Sequence, residues 1–306
     1  MTADYSTGVF SDGRHTLGEG PLWDGRTGTL HWVDIVAGEV LSRPEGAAAR
    51  VTPLGVQVGC LGLTADPDVL VAGLRTGWHL VDLRTGARRL LADPEADRPA
   101  CRFNDGAVDP AGRFWTGSLE DSESGPDGRL YVLGTDGGHR TADEGFQCAN
   151  GIDWSPDGRW MYFVDSHVNR VHRYPFDVAT GSLGARELFT DTTALDGVPD
   201  GLRVDAAGDV WIAFWGGAHV TRFAPDGTVR ERVDVPVLQP TSIAFGGPDL
   251  RTMFITSASR GMTADQLGRW PLSGAVLRRE AAVPGRPAHH FSTAFVTDQT
   301  QETGDQ

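Results

Sequence analysis

No lysine occurs among the 306 residues, and all 27 basic side chains are arginine. Without an ε-amine, Schiff-base catalysis, a lysine-anchored pyridoxal phosphate and a P-loop lysine are excluded. Cysteine is scarce as well. Cys60, Cys101 and Cys148 are odd in number and lack metal-type spacing, which fits a reducing compartment. No apolar run reaches the length of a membrane-spanning helix, and the opening MTADYSTGVF lacks the basic start and apolar stretch of a signal peptide. The expectation is a soluble cytoplasmic protein with no membrane partner. A formal charge of −14 spread along the chain argues against nucleic acid, whose phosphates need basic residues on one face. No Gly-x-Ser-x-Gly nucleophile elbow is present, and no long helical pattern.

What the chain does have is a repeat. Forty glycines and 18 prolines suit a fold that turns every few residues, and 40% apolar content supports a sizeable core. Six segments read as a short strand, a tight turn rich in Asp, Gly or Pro, and an alternating apolar strand. Their turns are anchored at Asp24, Asp66, Asp109, Ser155, Asp205 and Gly247, at intervals of 42, 43, 46, 50 and 42 residues. The first segment shows the grammar: GEGPLW, the turn DGRTG, then TLHWVDI. This period and strand content predict an all-β fold, a six-bladed β-propeller forming one domain over residues 1–306. The repeats mark a core of residues 15–290, and the polar tail from about 295 is expected to be flexible. Tyr5 to Phe10 is the candidate outer strand that closes the last blade, since an open edge invites aggregation.

Residues that share a register in such a repeat share a place around the axis. Five positions before each anchor stand Glu19, Leu61, Asn104, Asn150, Asp200 and Ser242. Two carboxylates and two amides in one ring suggest a site for a hard divalent cation in the central channel, with Ca²⁺, Mg²⁺ or Mn²⁺ favoured and Zn²⁺ less natural without a histidine. Asn-Gly and Asp-Gly are also ordinary turn signals, but Glu19 has no such role. Arg102, two residues before Asn104, reads equally as a holder of substrate carboxylate or hydroxyls and as half of a surface ion pair with a neighbouring blade. Residues after the second strands form a wider set of wall candidates: Asp34, Arg75, Glu120, Asp121, Asp165, Trp215 and Ser257. His167 is a weaker candidate for the mouth, His289 and His290 read as surface, and the nine tryptophans read as blade filler.

With these motifs in place, the chain resembles the gluconolactonase and regucalcin family, which includes senescence marker protein and luciferin-regenerating enzyme. The resemblance spans nearly all of residues 15–290 and rests on GEGPLW, RFNDGAVDPAGRFWTGSL, ANGIDWSPD, YFVDS, PDGLRVDAAGDVWIA and PTSIAFGGPDL. It implies a six-bladed propeller with one divalent metal in the channel. By motif, the family's metal ligands fall on Glu19, Asn150 and Asp200, and its sugar-binding pair falls on Arg102 and Asn104. Some members carry a substrate-contacting glutamate after the third blade's second strand, where this chain offers Glu120-Asp121-Ser122-Glu123. The expected function is metal-assisted hydrolysis of a small sugar lactone, with Asp200 as general base or with metal-bound hydroxide in that role. The alternatives are an aryl-ester or phosphotriester hydrolase on the same site, and a non-catalytic Ca²⁺-binding scaffold.

Overall fold

The computed structural model describes residues 7–296. Six antiparallel sheets form a closed β-propeller, each innermost strand touching the innermost strands of the blades before and after it. The inner strands are Gly18–Asp24, Val58–Leu63, Cys101–Val108, Ala149–Trp154, Val198–Val204 and Gln239–Gly246. Each turns into a second strand, from Thr29–Asp34 in the first blade to Thr252–Ala258 in the sixth. Burial falls outward along each blade. Every residue of Thr29–Asp34 is buried between neighbouring blades, whereas in the outer strand Val229–Asp234 only Val233 is.

Large side chains fill the space between blades. Trp32, Trp78, Trp115 and Trp154 are each under 2% exposed. At ~25 cal/mol per Å² over ~150–250 Å², each contributes about 4–6 kcal/mol of gross hydrophobic stabilisation. Trp215 departs from the filler role and stands half-buried in a cavity wall.

The ring closes as expected, with the closing strand shifted. Gly8–Ser11 pairs with the third strand of blade six, Val276–Glu280, and Phe10 sets its ring edge-on to Phe254 at 4.7 Å. Tyr5 and Ser6 lie outside the described residues. A second closure follows the last blade. Gly285 N–H donates to Leu250 O, Pro284 O accepts from Ala206 N, Arg286 binds Asp153 at 2.9 Å, and Phe291 N–H donates to Leu63 O. This strap crosses the face of the disc that carries the turns between first and second strands. Packing therefore continues beyond residue 290: Phe291 and Val296 are buried, and Phe295 meets Phe291 edge-on at 6.2 Å. The remainder of the expected flexible tail lies outside the described residues. His289, read as surface, is partly buried beside this strap.

The turn anchors explain why the repeat needs Asp. Asp205 is fully buried, accepts the N–H groups of Ala207 and Asp209 through Oδ1, and accepts the Trp211 indole N–H through Oδ2 at 3.0 Å. Asp109 does the same for Ala111, Arg113 and Trp115. One carboxylate thus fixes the turn and ties the second strand's indole. Asp205→Ala leaves the buried Asp209 N–H and Trp211 indole N–H unpaired, so we predict a loss of about 2–4 kcal/mol in urea unfolding, while Asp226→Ala in an exposed turn costs about 0.5 kcal/mol.

Candidate functional site

Each of the six inner strands carries a bulge near its entry, at Glu19/Leu22, Val58/Cys60, Phe103/Asp105, Ala149/Ile152, Pro199/Leu202 and Pro240/Ser242. A bulge sets two residues of one strand against one of its partner and re-aims the side chains there. These bulges sit at the mouth of the channel opposite the strap. A cavity of about 390 Å³ opens there, in the range typical of small-molecule sites (~300–1,000 Å³).

Glu19, Arg102, Asn104, Asn150 and Asp200 all line this cavity. Two members of the sequence-derived ring do not. In blade two the residue that opens the turn is Thr64 and not Asp66, so five positions before Asp66 falls on Leu61, which lies against the small cavity at the strap end. The bulge residue there is Gly59, and a Cβ at that position would meet Phe103 O at 2.4 Å. In blade six the bulge falls at Thr241, whose hydroxyl donates to Gly18 O at 2.6 Å. The wall candidates divide in the same way. Of that set only Trp215 lines the cavity. Asp34 instead accepts the N–H groups of Thr16, Leu17 and Ala37, and Asp165 those of Gln147 and Cys148. They brace the chain as it enters an inner strand. Arg75 binds Asp121 at 2.5 Å, and Ser257 donates to Ala275 O.

The polar floor is electrostatically strained. Glu19 is buried, and its carboxyl is pushed up to about 8 by burial first and by the charge of Asp105 second, against the pull of the Gly20 N–H, Arg203 and Arg102. Asp200 is held well above the ordinary aspartate range by burial, then by Glu19, Asp105 and Glu123, while a hydrogen bond from Asn150 opposes this. Asn150 donates through Nδ2 to Ser166 Oγ at 3.1 Å, and its Oδ1 is buried with no hydrogen-bond partner. Asp105 was missed by the sequence reading. It is fully buried, Oδ1 accepts the Gly106 N–H, Oδ2 has no partner, and burial raises its carboxyl. It follows the bulge at Asn104, which upsets strict alternation and which the residue pattern does not mark.

Arg102 is preset on the wall. Its Nη1 donates to Asn104 Oδ1 at 2.8 Å, and Asn104 Nδ2 donates to Ala149 O at 3.0 Å in the next blade. Within the acidic run, Glu123 is the residue that lines the cavity. Asp121 turns to Arg75, and Glu120 accepts from the Ser122 N–H. Glu123 holds a positive φ of 52° and accepts the His167 Nε2–H at 2.5 Å, so His167 does reach the mouth. Cys148 completes a cluster with them, the three ligand-type atoms lying within 4.8 Å of one another, and burial pushes its thiol far up.

An oxygen-rich floor with two buried carboxylates and an orphaned amide oxygen fits a hard divalent cation. The donor set of Glu19, Asn150 and Asp200 contains neither sulfur nor imidazole.

Comparison with known proteins places this geometry. Residues 17–259 match the family described as SGL, the SMP-30/Gluconolactonase/LRE-like region. The chain belongs to that family. It is 38% identical over 271 residues to 6-deoxy-6-sulfogluconolactonase of Pseudomonas putida, covering 88% of this chain and 92% of that protein. It is 36% identical to pentonolactonase XacC of Haloferax volcanii, covering 89% and 93% of the two chains. The crystal structure of regucalcin from Agrobacterium tumefaciens, described as a calcium-binding protein, superposes with a TM-score of 0.90 at 32% identity, covering 94% and 97%.

The His167–Glu123 contact gives a pH signature. The Glu123 side chain raises His167 above its ordinary value, while His167, foremost among its neighbours, lowers Glu123. The pair's contribution is therefore complete between Glu123's unfolded value of ~4.3 and His167's of ~6.5, and is lost as pH rises through the raised His167 value or falls through the lowered Glu123 value. NMR titration should place His167 above 6.5 in the native protein and return it to about 6.5 or below in Glu123→Gln. An unshifted His167 in the native chain contradicts this.

Proposed function

We propose that this protein opens a small sugar lactone by attack of water, in a site that depends on one divalent cation held by Glu19, Asn150 and Asp200. The observation that carries the reading is Asn150 Oδ1, a buried oxygen with no partner beside two buried carboxylates. An unpaired buried acceptor costs ~1–3 kcal/mol, and like charges crowded together cost more, so the arrangement is favourable only when a cation completes it. The relatives named as sugar lactonases support the choice of substrate class.

When bound, the cation supplies Lewis-acid polarisation of the lactone carbonyl and stabilises the oxyanion. The chain's own residues do the rest. Asp200, kept ionised when the cation is bound, accepts the proton of the attacking water. The water oxygen bonds to the carbonyl carbon, the ring C–O bond breaks, and the freed alkoxide takes up the proton to give a hydroxy acid. Arg102, with Nη1 fixed by Asn104, offers its remaining N–H groups to the sugar hydroxyls and sets the ring's orientation. Trp215 and Leu119 present apolar surface on the wall.

Asp200→Ala and Glu19→Ala should each lower kcat on D-glucono-1,5-lactone by about 10²–10³-fold in a pH-drop assay with the fold intact by circular dichroism. Arg102→Ala should raise KM about tenfold with a smaller change in kcat. Full activity of chelated Asp200→Ala ends the proposal. Independently of turnover, Ca²⁺ or Mn²⁺ should raise the Tm of the chelated protein and fail to do so in Glu19→Gln/Asp200→Asn. A second reading, a calcium-binding propeller without catalysis, is favoured by the regucalcin likeness. It is the outcome if cations raise Tm while no lactone or phenyl ester is hydrolysed.

A further inference from the structure

The cavity has a second guanidinium that the proposed reaction does not use. After the second strand of blade six, Thr252–Ala258, the chain makes a tight excursion in which Ser259 and Arg260 N–H groups both donate to Thr16 O of blade one, and Gly261 turns with φ of 71°. These main-chain bonds pin the Arg260 backbone on the rim. Its side chain lines the cavity. Among the described residues it has neither a hydrogen-bond acceptor nor an ion-pair partner, in contrast to Arg75 and Arg102. It lies within electrostatic range of both Arg102 and Glu123.

Charge balance gives this arginine a consequence. A divalent cation would offset Glu19 and Asp200, and Glu123 is already in contact with His167. Asp121, 4.0 Å from Arg102, is held bidentately by Arg75. Asp105 is offset by Arg203, and the Arg260 guanidinium is then left without a carboxylate of its own, in a protein whose net charge is −14. A locally positive, partly enclosed cavity draws anions, and a guanidinium fork matches carboxylate, sulfonate or phosphate oxygens.

Resting on the lactonase reading, we propose that Arg260 is a specificity-determining residue that binds an anionic substituent on the sugar, remote from the lactone carbonyl. The preferred substrate class is thus a lactone bearing a carboxylate, sulfonate or phosphate at the far end of its carbon chain. Arg102 stays with the hydroxyls nearer the reacting carbon, and Arg260, on the solvent side, takes the charge.

The experiment measures kcat and KM of the native enzyme and of Arg260→Gln on D-glucono-1,5-lactone, 6-phospho-D-glucono-1,5-lactone and D-glucaro-1,4-lactone at low ionic strength. The expected result is a kcat/KM at least tenfold higher on one or both charged lactones for the native enzyme. In Arg260→Gln that ratio should fall toward one, chiefly through KM of the charged substrate, and Arg260→Lys should keep part of it. The phosphate and carboxylate arms separate the two kinds of anion. No preference in the native enzyme, an unchanged ratio in Arg260→Gln, or an equal loss on charged and neutral lactones overturns the inference while leaving the lactonase reading intact. Hydrolysis of no lactone at all removes that reading, and this one with it. Because the side chain has no partner to lose, Tm should stay within a degree or so of the native value, which checks that the variant is folded.

Discussion

Three acidic side chains that share one dry space, Glu19, Asp105 and Asp200, are the constraint around which the rest of the structure is arranged. Burial alone disfavours their charged forms; Asp105 raises Glu19 further, and Glu19 and Asp105 both raise Asp200. A chain tolerates such crowding only if the carboxyls keep their protons or a cation replaces them. The nearby positive groups do not suffice. Arg203 acts on Glu19 and Asp105, and Arg102 acts on Glu19, yet Glu19 still stands at about 8. The orphaned oxygen of Asn150 is the feature on which the proposed cation site rests.

Holding like charges together requires a frame that does not relax, and the closed ring provides it. Blade six is completed by the first described strand, the strap fastens the far face, and tryptophans lock the blades against one another. The inner-strand bulges then convert a stable scaffold into a ring of polar groups at one mouth. At the other end Arg286 and its neighbours line only a small cavity. The same division separates two kinds of buried aspartate. Asp24, Asp109 and Asp205 accept backbone and side-chain donors in the turns, while Asp105 and Asp200 face the axis.

Much of this was legible in the sequence, for a physical reason. A repeat that returns to the same place in space lets spacing stand in for distance, so the period predicted the blade number, and Glu19, Asn104, Asn150 and Asp200 do line one cavity. Where the spacing between bulge and anchor differed the inference slipped: Gly59 lies seven residues before Asp66 and Thr241 six before Gly247, so Leu61 and Ser242 were counted in their place. Bulges have no clear sequence signature, so Asp105 went unseen. Asp34 and Asp165 were mistaken for wall residues because register alone cannot tell a carboxylate that faces the channel from one that clasps its own backbone. Which of Glu120, Asp121 and Glu123 faces the cavity depended on a positive φ at Glu123 that strand periodicity could not foretell.

The central claim is that one cation sits where Glu19, Asn150 and Asp200 meet. A crystal soaked in Mn²⁺ and measured for anomalous scattering tests it most directly. The account predicts a single strong peak on the channel axis, with Asn150 Oδ1 and one oxygen from each carboxylate at bonding distance, about 2.0–2.6 Å. No peak there, or a peak only beside Glu123, Cys148 and His167, would contradict it.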